Sequence, residues 1–187
     1  MKRIKSILYL FALSVGLFSC IKNDPITLQD TYVEFDAATW NSNNAYVGTG
    51  LDSIAFPIMT RVPAFGRVVN TGDATLSRTS GTIPLRVNLV GATRKSATEV
   101  TYETITNYTL IGTPPANNTA AVAGTHYTAL PGTLTIPADS SFGYLNVPIL
   151  NPGAGTGTRE LVIRLKSATD AKINRNYSVV GLRIAQP

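Results

Sequence analysis

Cysteine, histidine and tryptophan occur once each in the 187 residues, as Cys20, His126 and Trp40. A single cysteine cannot close an intramolecular disulfide, so burial must hold the fold together. A single imidazole cannot build a His-rich metal site, and no metal ligand set is expected. A Ser-His-Asp site would have to use His126, and no Gly-x-Ser-x-Gly nucleophile elbow accompanies it; no catalytic residue and no cofactor are assigned. No ten consecutive residues repeat their apolar positions at helical spacing, which leaves an all-β chain. A clustered basic stripe is missing as well. The formal charge of +5 includes Lys2, Arg3 and Lys5. Without them 13 basic residues face 11 acidic ones, a balance of +2, and these are scattered. No nucleic-acid partner is expected of such a surface.

Residues 1–19 read as a targeting segment rather than as part of the fold. Lys2, Arg3 and Lys5 precede an apolar core of 12 residues, 7–18. A helix that crosses a bilayer needs about 20. Leu17-Phe18-Ser19-Cys20 then resembles the bacterial lipobox, with Phe18 bulkier than the usual occupant. The resemblance implies that Cys20 becomes the N-terminus and carries a thioether-linked diacylglycerol and an N-acyl chain such as palmitate. Several acyl chains anchor stably where one is marginal. An ordinary secretory signal with a stray cysteine, or a short transmembrane anchor, are the competing readings. Ile21, in place of Asp after the cysteine, resembles sorting to the outer membrane. Lys22-Asn23-Asp24 is faintly similar to the charged surface-export signals of Bacteroidetes lipoproteins. The expected partner at this end is membrane lipid, through Cys20. Residues 20–30 read as a tether.

Residues 31–187 read as one β-sandwich domain of seven to nine strands, immunoglobulin-like and of Greek-key type. Val33 and Phe35 alternate with Glu34 and Asp36. Residues 37–50 are polar and Asn-rich and read as a loop. Ile54, Phe56 and Ile58 alternate, and Pro57 among them predicts an edge strand. Residues 61–80 lack a firm period and read as a long loop containing a strand. Ile83, Leu85, Val87 and Leu89 share one face of a strong strand. Residues 99–111 are rich in Thr, Tyr and Ile, which favour strands. Leu134 and Ile136 mark one strand and Leu145, Val147 and Ile149 another, with a turn at Pro137-Ala138-Asp139-Ser140-Ser141. Leu161, Ile163 and Leu165, then Val180, Leu182 and Ile184, complete the set.

Gly124-Thr125-His126-Tyr127, Gly132-Thr133-Leu134-Thr135-Ile136, Leu145-Asn146-Val147-Pro148-Ile149 and Glu160-Leu161-Val162-Ile163-Arg164-Leu165 together resemble the Calx-beta repeat, over residues 82–167. The resemblance implies an immunoglobulin-like sandwich. Behind a lipobox it also resembles Bacteroidetes surface lipoproteins associated with glycan capture. Calcium-binding members use clustered carboxylates. Here His126 replaces the acidic residue of Gly-Thr-Asp-Tyr, Pro152-Gly153-Ala154-Gly155 replaces the Asp-Asp turn, and Glu160 alone remains. A calcium ion wants six to eight oxygens, several of them carboxylate, so no calcium is expected.

Trp40 and Tyr46 stand in an Asn-rich segment, where rings could stack on sugar C–H faces while amides bond to hydroxyls. They are the candidate ligand-binding residues. The alternative is that Trp40 caps the sandwich core. Tyr102 and Tyr108 carry the same two readings. Glu34 and Asp36 point together on one strand, unlike the facing carboxylates of a glycosidase. The expectation is a non-catalytic outer-membrane lipoprotein that binds surface glycan or assists a polysaccharide-utilisation system. A structural or adhesion subunit that contacts other envelope proteins is the alternative.

Overall fold

A computed structural model describes residues 30–41, 44–50, 52–113, 118–153, 155 and 157–187. Cys20, the signal segment and all but the last residue of the expected tether lie outside the described residues. The first strand, β1 (Tyr32–Phe35), is followed by a one-turn helix α1 (Ala37–Trp40), then β2 (Asn44–Thr49) and β3 (Ala55–Met59). Next come β4 (Thr82–Val90), β5 (Thr98–Ile105), β6 (Thr109–Ile111) and β7 (Asn118–Ala120). The chain ends with β8 (Thr133–Ile136), β9 (Phe142–Pro148), β10 (Thr158–Ala168), β11 (Lys172–Ile173) and β12 (Val179–Ala185). A four-stranded sheet has the order β11-β1-β4-β9. A larger sheet runs β6-β2-β3-β12-β10-β5-β8, with β7 laid parallel to the start of β10.

The two sheets share one apolar core, and the architecture is an immunoglobulin-like β-sandwich. From the four-stranded sheet come Val33, Phe35, Ile83, Leu85, Val87, Leu145 and Val147. From the larger sheet come Val100, Ile136, Leu161, Ile163, Val180, Leu182 and Ile184. Period-two alternation puts these on inner faces and leaves their neighbours outside. The turn after β8 carries the chain from one sheet to the other, since β8 pairs with β5 and β9 with β4. Gly143 makes that crossing possible. A Cβ there would stand 2.7 Å from the Thr135 carbonyl oxygen.

The larger sheet is also covered on its far side. Phe56, Ile58, Ile105, Val162 and Val179 form a second apolar cluster, against which Trp40, Tyr108 and Leu110 pack. Residues 160–163 of β10 and nearly all of β12 are therefore buried on both faces, and β12 reads as a near-continuous apolar run. The Phe56 ring lies over its register partner Gly48, where a Cβ would come within 2.6 Å of it.

One charged pair sits within this cover. Glu160 and Arg183 are register partners on β10 and β12, and both are buried. Arg183 Nε donates to Glu160 Oε1 at 2.6 Å, and its Nη2 donates to the same oxygen. Tyr108 donates to Glu160 Oε2 at 2.8 Å. Burial, and then the Glu160 carboxylate, push the Tyr108 hydroxyl well above its ordinary pKa.

Several expectations are corrected. Residues 37–50 are not simply a loop, since they hold α1 and β2. Asp36 caps α1, its Oδ1 accepting from the Ala38 amide at 2.8 Å. β3 is internal rather than an edge strand, lying between β2 and β12. Pro57 is tolerated because the pairing with β12 involves only Ile58 and Met59. Pro84 is accommodated in the same way on β4, since β1 pairs only with residues 87–90. Residues 61–80 form bridges at Arg61–Thr75 and Ser77–Ala185 but no full strand. The described strands number twelve because β6, β7 and β11 are two- or three-residue pieces at the sheets' periphery.

Replacing Glu160 with Gln is expected to cost about 3–5 kcal/mol in urea unfolding, because a buried arginine is left without its counter-charge. Pairing Glu160→Leu with Arg183→Met should recover most of that loss. Gly143→Ala should cost about 1–3 kcal/mol through overpacking. Gly50→Ala, where the nearest contact of a Cβ would be 3.6 Å, should be far milder in the same assay.

Candidate functional site

The outer face of the four-stranded sheet carries a cluster of aromatic and hydrogen-bonding side chains. The inward run of β4 and β9 obliges their alternate residues to face outward. Register then sets Arg86 beside Tyr144, Asn88 beside Phe142 and Pro84 beside Asn146. Phe65 reaches the same patch from the 61–80 loop. The Tyr144 ring meets Phe142 edge-on at 5.6 Å and Phe65 at 5.9 Å between centroids. Tyr144 remains 43% exposed.

Arg86 joins these rings to a polar network. Its guanidinium carbon lies 4.3 Å from the Phe142 ring centroid and 6.0 Å from that of Phe65. Contacts of this kind over an aromatic face are attractive. Arg86 Nε donates to Asn88 Oδ1 at 3.0 Å and lies 3.4 Å from Asp36 Oδ2. Asn88 Nδ2 donates to the same Asp36 oxygen at 2.8 Å. Asp36 thus ties together β1, the start of α1 and β4. The patch is fixed before any ligand arrives, which lowers the ordering cost of binding.

A shallow groove of about 320 Å³ adjoins the patch. Asp36, Ala37, Ala38 and Asn41 form one side and residues 66–69 the other. Arg67 and Asp73 clip the second side together through an ion pair. Asp73 Oδ2 also accepts from the Asn70 amide at 2.8 Å, and Arg61 donates to the Asp73 carbonyl at 2.9 Å. The Arg67 hydrogen bond, followed by that from Asn70, lowers the Asp73 carboxyl to about 2.

The arrangement can stack an apolar face on Tyr144 while amides and charged groups bond to polar substituents. It lacks facing carboxylates with separate roles. Asp36 is engaged by Arg86 and Asn88, and Glu34 accepts from Asn174 Nδ2 at 2.5 Å. Among the described residues no group of three His, Cys, Asp or Glu could hold a metal ion.

The residues singled out by sequence lie elsewhere. Trp40 ends α1, half-buried, packed against both apolar clusters and edge-on to the Tyr177 ring at 4.9 Å. Tyr46 falls on β2, and its side chain lies outside the described residues, as does Cys20. Tyr102 is buried in the main core, and Tyr108 covers the second cluster. His126 is buried, and its Nδ1 accepts from the Val122 amide at 3.0 Å. Burial, then the charge of Arg159, pushes that imidazole below its ordinary pKa. Phe65, Arg86, Phe142 and Tyr144 were not anticipated as a site. The legible signal was an aromatic at an outward position of a strand, Tyr144; apart from Phe142 on the same strand, its partners come from distant segments.

The acid dependence of the groove follows from Asp73. Its carboxyl is depressed in the folded state, so its contribution is full above the ordinary carboxylate value. That contribution is lost as pH falls through about 2. The protection factors of residues 66–73, taken against the intrinsic exchange rate at each pH, are therefore expected to fall on acidification from pH 5 toward about 2. In Asp73→Asn they should already be low at pH 5.

No protein-family profile matches the chain, and no curated protein matches it by sequence. Among solved structures it is similar to the apo-form Calx CBD1 domain. The identity is 18% and the TM-score 0.46, over 59% of this chain and 86% of that one. The Calx CBD2 domain is similar at 12% identity and TM-score 0.46, over 59% of this chain and 80% of that one. CBD12 from CALX1.2 is similar at 18% identity and TM-score 0.46, again over 59% of this chain, which spans 40% of that structure. The assignment of a sandwich rests on the two sheets and the core they share.

Proposed function

We propose that the protein is a non-catalytic, lipid-anchored glycan-binding protein of the outer membrane. It presents the outer face of the four-stranded sheet to a carbohydrate chain. The observation that carries this reading is the half-exposed Tyr144 ring, braced by Phe65 and Phe142 and flanked by the Arg86–Asn88–Asp36 network. A hexose has an apolar C–H face and a rim of hydroxyls, which match a ring bordered by fixed polar groups. The groove beside Asp36 offers room for a further sugar unit. The lipobox-like segment ending at Cys20 supports the placement on a membrane, with a tether holding the domain away from the lipid.

A second reading, a structural or adhesion subunit of an envelope assembly, draws on the position of β9. It is the last strand of its sheet in the order β11-β1-β4-β9. Edge strands of this kind can accept a strand from a partner.

A glycan array probed with the full chain tests the two readings. Retention of one glycan class is expected. Tyr144→Ala should weaken that binding at least about tenfold, the loss typical of an anchoring aromatic. Its melting temperature should change little, since surface substitutions usually stay within about 0.5 kcal/mol. If Trp40→Ala abolishes binding while Tyr144→Ala does not, the ligand sits at the Trp40 and Tyr46 end. No retained glycan, with another envelope protein co-purifying, would favour the assembly reading. Cys20→Ser is expected to release the protein from the membrane fraction.

A further inference from the structure

A separate cluster of charges lies on the far side of the larger sheet, past the end of the second apolar cluster. Arg164 on β10 faces outward beside Glu103 on β5, its register partner. Its Nε and Nη2 donate to Glu103 Oε1 at 3.1 and 2.8 Å, and its Nη1 donates to Asp52 Oδ2 at 3.3 Å. Lys166 Nζ donates to Glu103 Oε2 at 3.2 Å. Arg175, in the 3₁₀ turn Arg175–Tyr177, donates to the Asp52 carbonyl at 3.3 Å. Asp52, Arg164, Lys166 and Arg175 border a cleft of about 380 Å³ whose walls also include Ile54, Ile173 and Ser178.

Three cations here face two carboxylates, and only one of those, Asp52, lines the cleft. The cations are also incompletely used. Guanidinium carries five N–H donors and ammonium three. Arg164 commits three donors to Glu103 and Asp52, while Lys166 and Arg175 commit one each among the described residues. The carboxylates hold Arg164 in place, with its side chain only 19% exposed, so little ordering is left to be done on binding. Two local irregularities aim the groups at this cleft. The register of β10 against β5 shifts between Leu165 and Ser167, leaving Lys166 without a partner on β5. Bulges of this kind concentrate beside functional sites, where they re-aim a side chain. Ser53, next to Asp52, has φ 56°, a left-handed conformation unusual for a non-glycine residue.

We infer that this cleft is an anion-binding site. It takes one oxyanion group, a carboxylate or a sulfate or phosphate ester, held by Arg175, Lys166 and the remaining donors of Arg164. Ile54 and Ile173 contact the apolar body that bears the group. Charge-assisted hydrogen bonds from a guanidinium suit such a planar or tetrahedral oxyanion. The inference stands apart from the glycan reading, because neither Tyr144 nor Arg86 contributes to this cleft. The anion could arrive free or as an acidic substituent of a larger molecule.

Amide-shift titrations of the full chain with sodium sulfate, inorganic phosphate, sodium glucuronate and glucose test it. Saturating shifts confined to residues 52–54, 164–166 and 173–178 are expected with at least one of the anions and none with glucose. Tighter binding of glucuronate than of sulfate or phosphate would mean that the carbon body contributes; equal binding would mean that the free oxyanion suffices. The double variant Lys166→Gln with Arg175→Gln should weaken the affinity at least about tenfold, one charged contact being worth roughly that factor. Asp52→Asn, which removes the only carboxylate among the described residues lining the cleft, should tighten it. A purely structural ion-pair network gives the opposite result, with no saturating shift or with shifts unchanged in the double variant. Weaker binding in Asp52→Asn would equally overturn the inference.

Discussion

Burial of β12 and of the middle of β10 on both faces is the constraint from which the rest of the structure follows. Strands covered on both sides cannot alternate apolar with polar, and Leu161, Val162 and Ile163 accordingly stand buried in succession. The sole charged cross-strand pair within their cover among the described residues, Glu160 with Arg183, is self-satisfying and is completed by Tyr108. A one-residue slip between the two strands would turn Glu160 toward the main core and separate it from Arg183. The pair therefore acts as a register lock whose value lies in what a slip would cost rather than in the attraction itself. Two buried charges give back much of their Coulomb energy as desolvation.

That constraint distributes the surfaces available for function. The larger sheet gives up its outer face to Trp40, Tyr108 and Leu110, which cover the second cluster. The outer face of the four-stranded sheet is left more open, and there the chain sets Tyr144, Phe142 and Arg86 on paired strands. Where the cover of the larger sheet ends, the outward positions of β10 turn from Val162 to Arg164 and Lys166, and the charged cleft begins. Both surfaces stand on strands rather than on long loops, so their side chains are held by the pleat and by neighbours in register. The exceptions include Phe65, Asp52 and, in the 3₁₀ turn, Arg175. The first is steadied by the Arg67–Asp73 clip, the second by its bonds to Arg164 and Arg175.

Much of the fold was legible because alternation reports burial directly. Val33 and Phe35, the run from Ile83 to Leu89, and the pair Leu145 and Val147 all face the core as their spacing indicates. Alternation does not say which strand lies alongside, and so Pro57 suggested an edge where β3 is internal. It is also silent about a second covered face: Val180, Leu182 and Ile184 face the main core as their spacing indicates, but nothing in that spacing shows that Val179 is covered on the other side. The 37–50 segment misled through its polarity: Asp36 uses that polarity to start a helical turn, and Gly48 fits β2 against the ring of Phe56. The candidate site was legible only in fragments. Tyr144 falls at an outward position of the alternation that puts Leu145 and Val147 inside, but nothing local joins it to Phe65 or Asp36. Glu160 was noted as an isolated carboxylate because Arg183 and Tyr108 meet it only through sheet pairing.

Hydrogen exchange resolved to single amides measures the central constraint most directly. The account expects the slowest exchange in residues 161–165 and 180–184, at rates set by global unfolding, with β6, β7 and β11 exchanging far faster through local opening. If β10 and β12 exchange as fast as those peripheral strands while β4 and β9 stay protected, the doubly covered pair is not the spine of the molecule and the account is wrong.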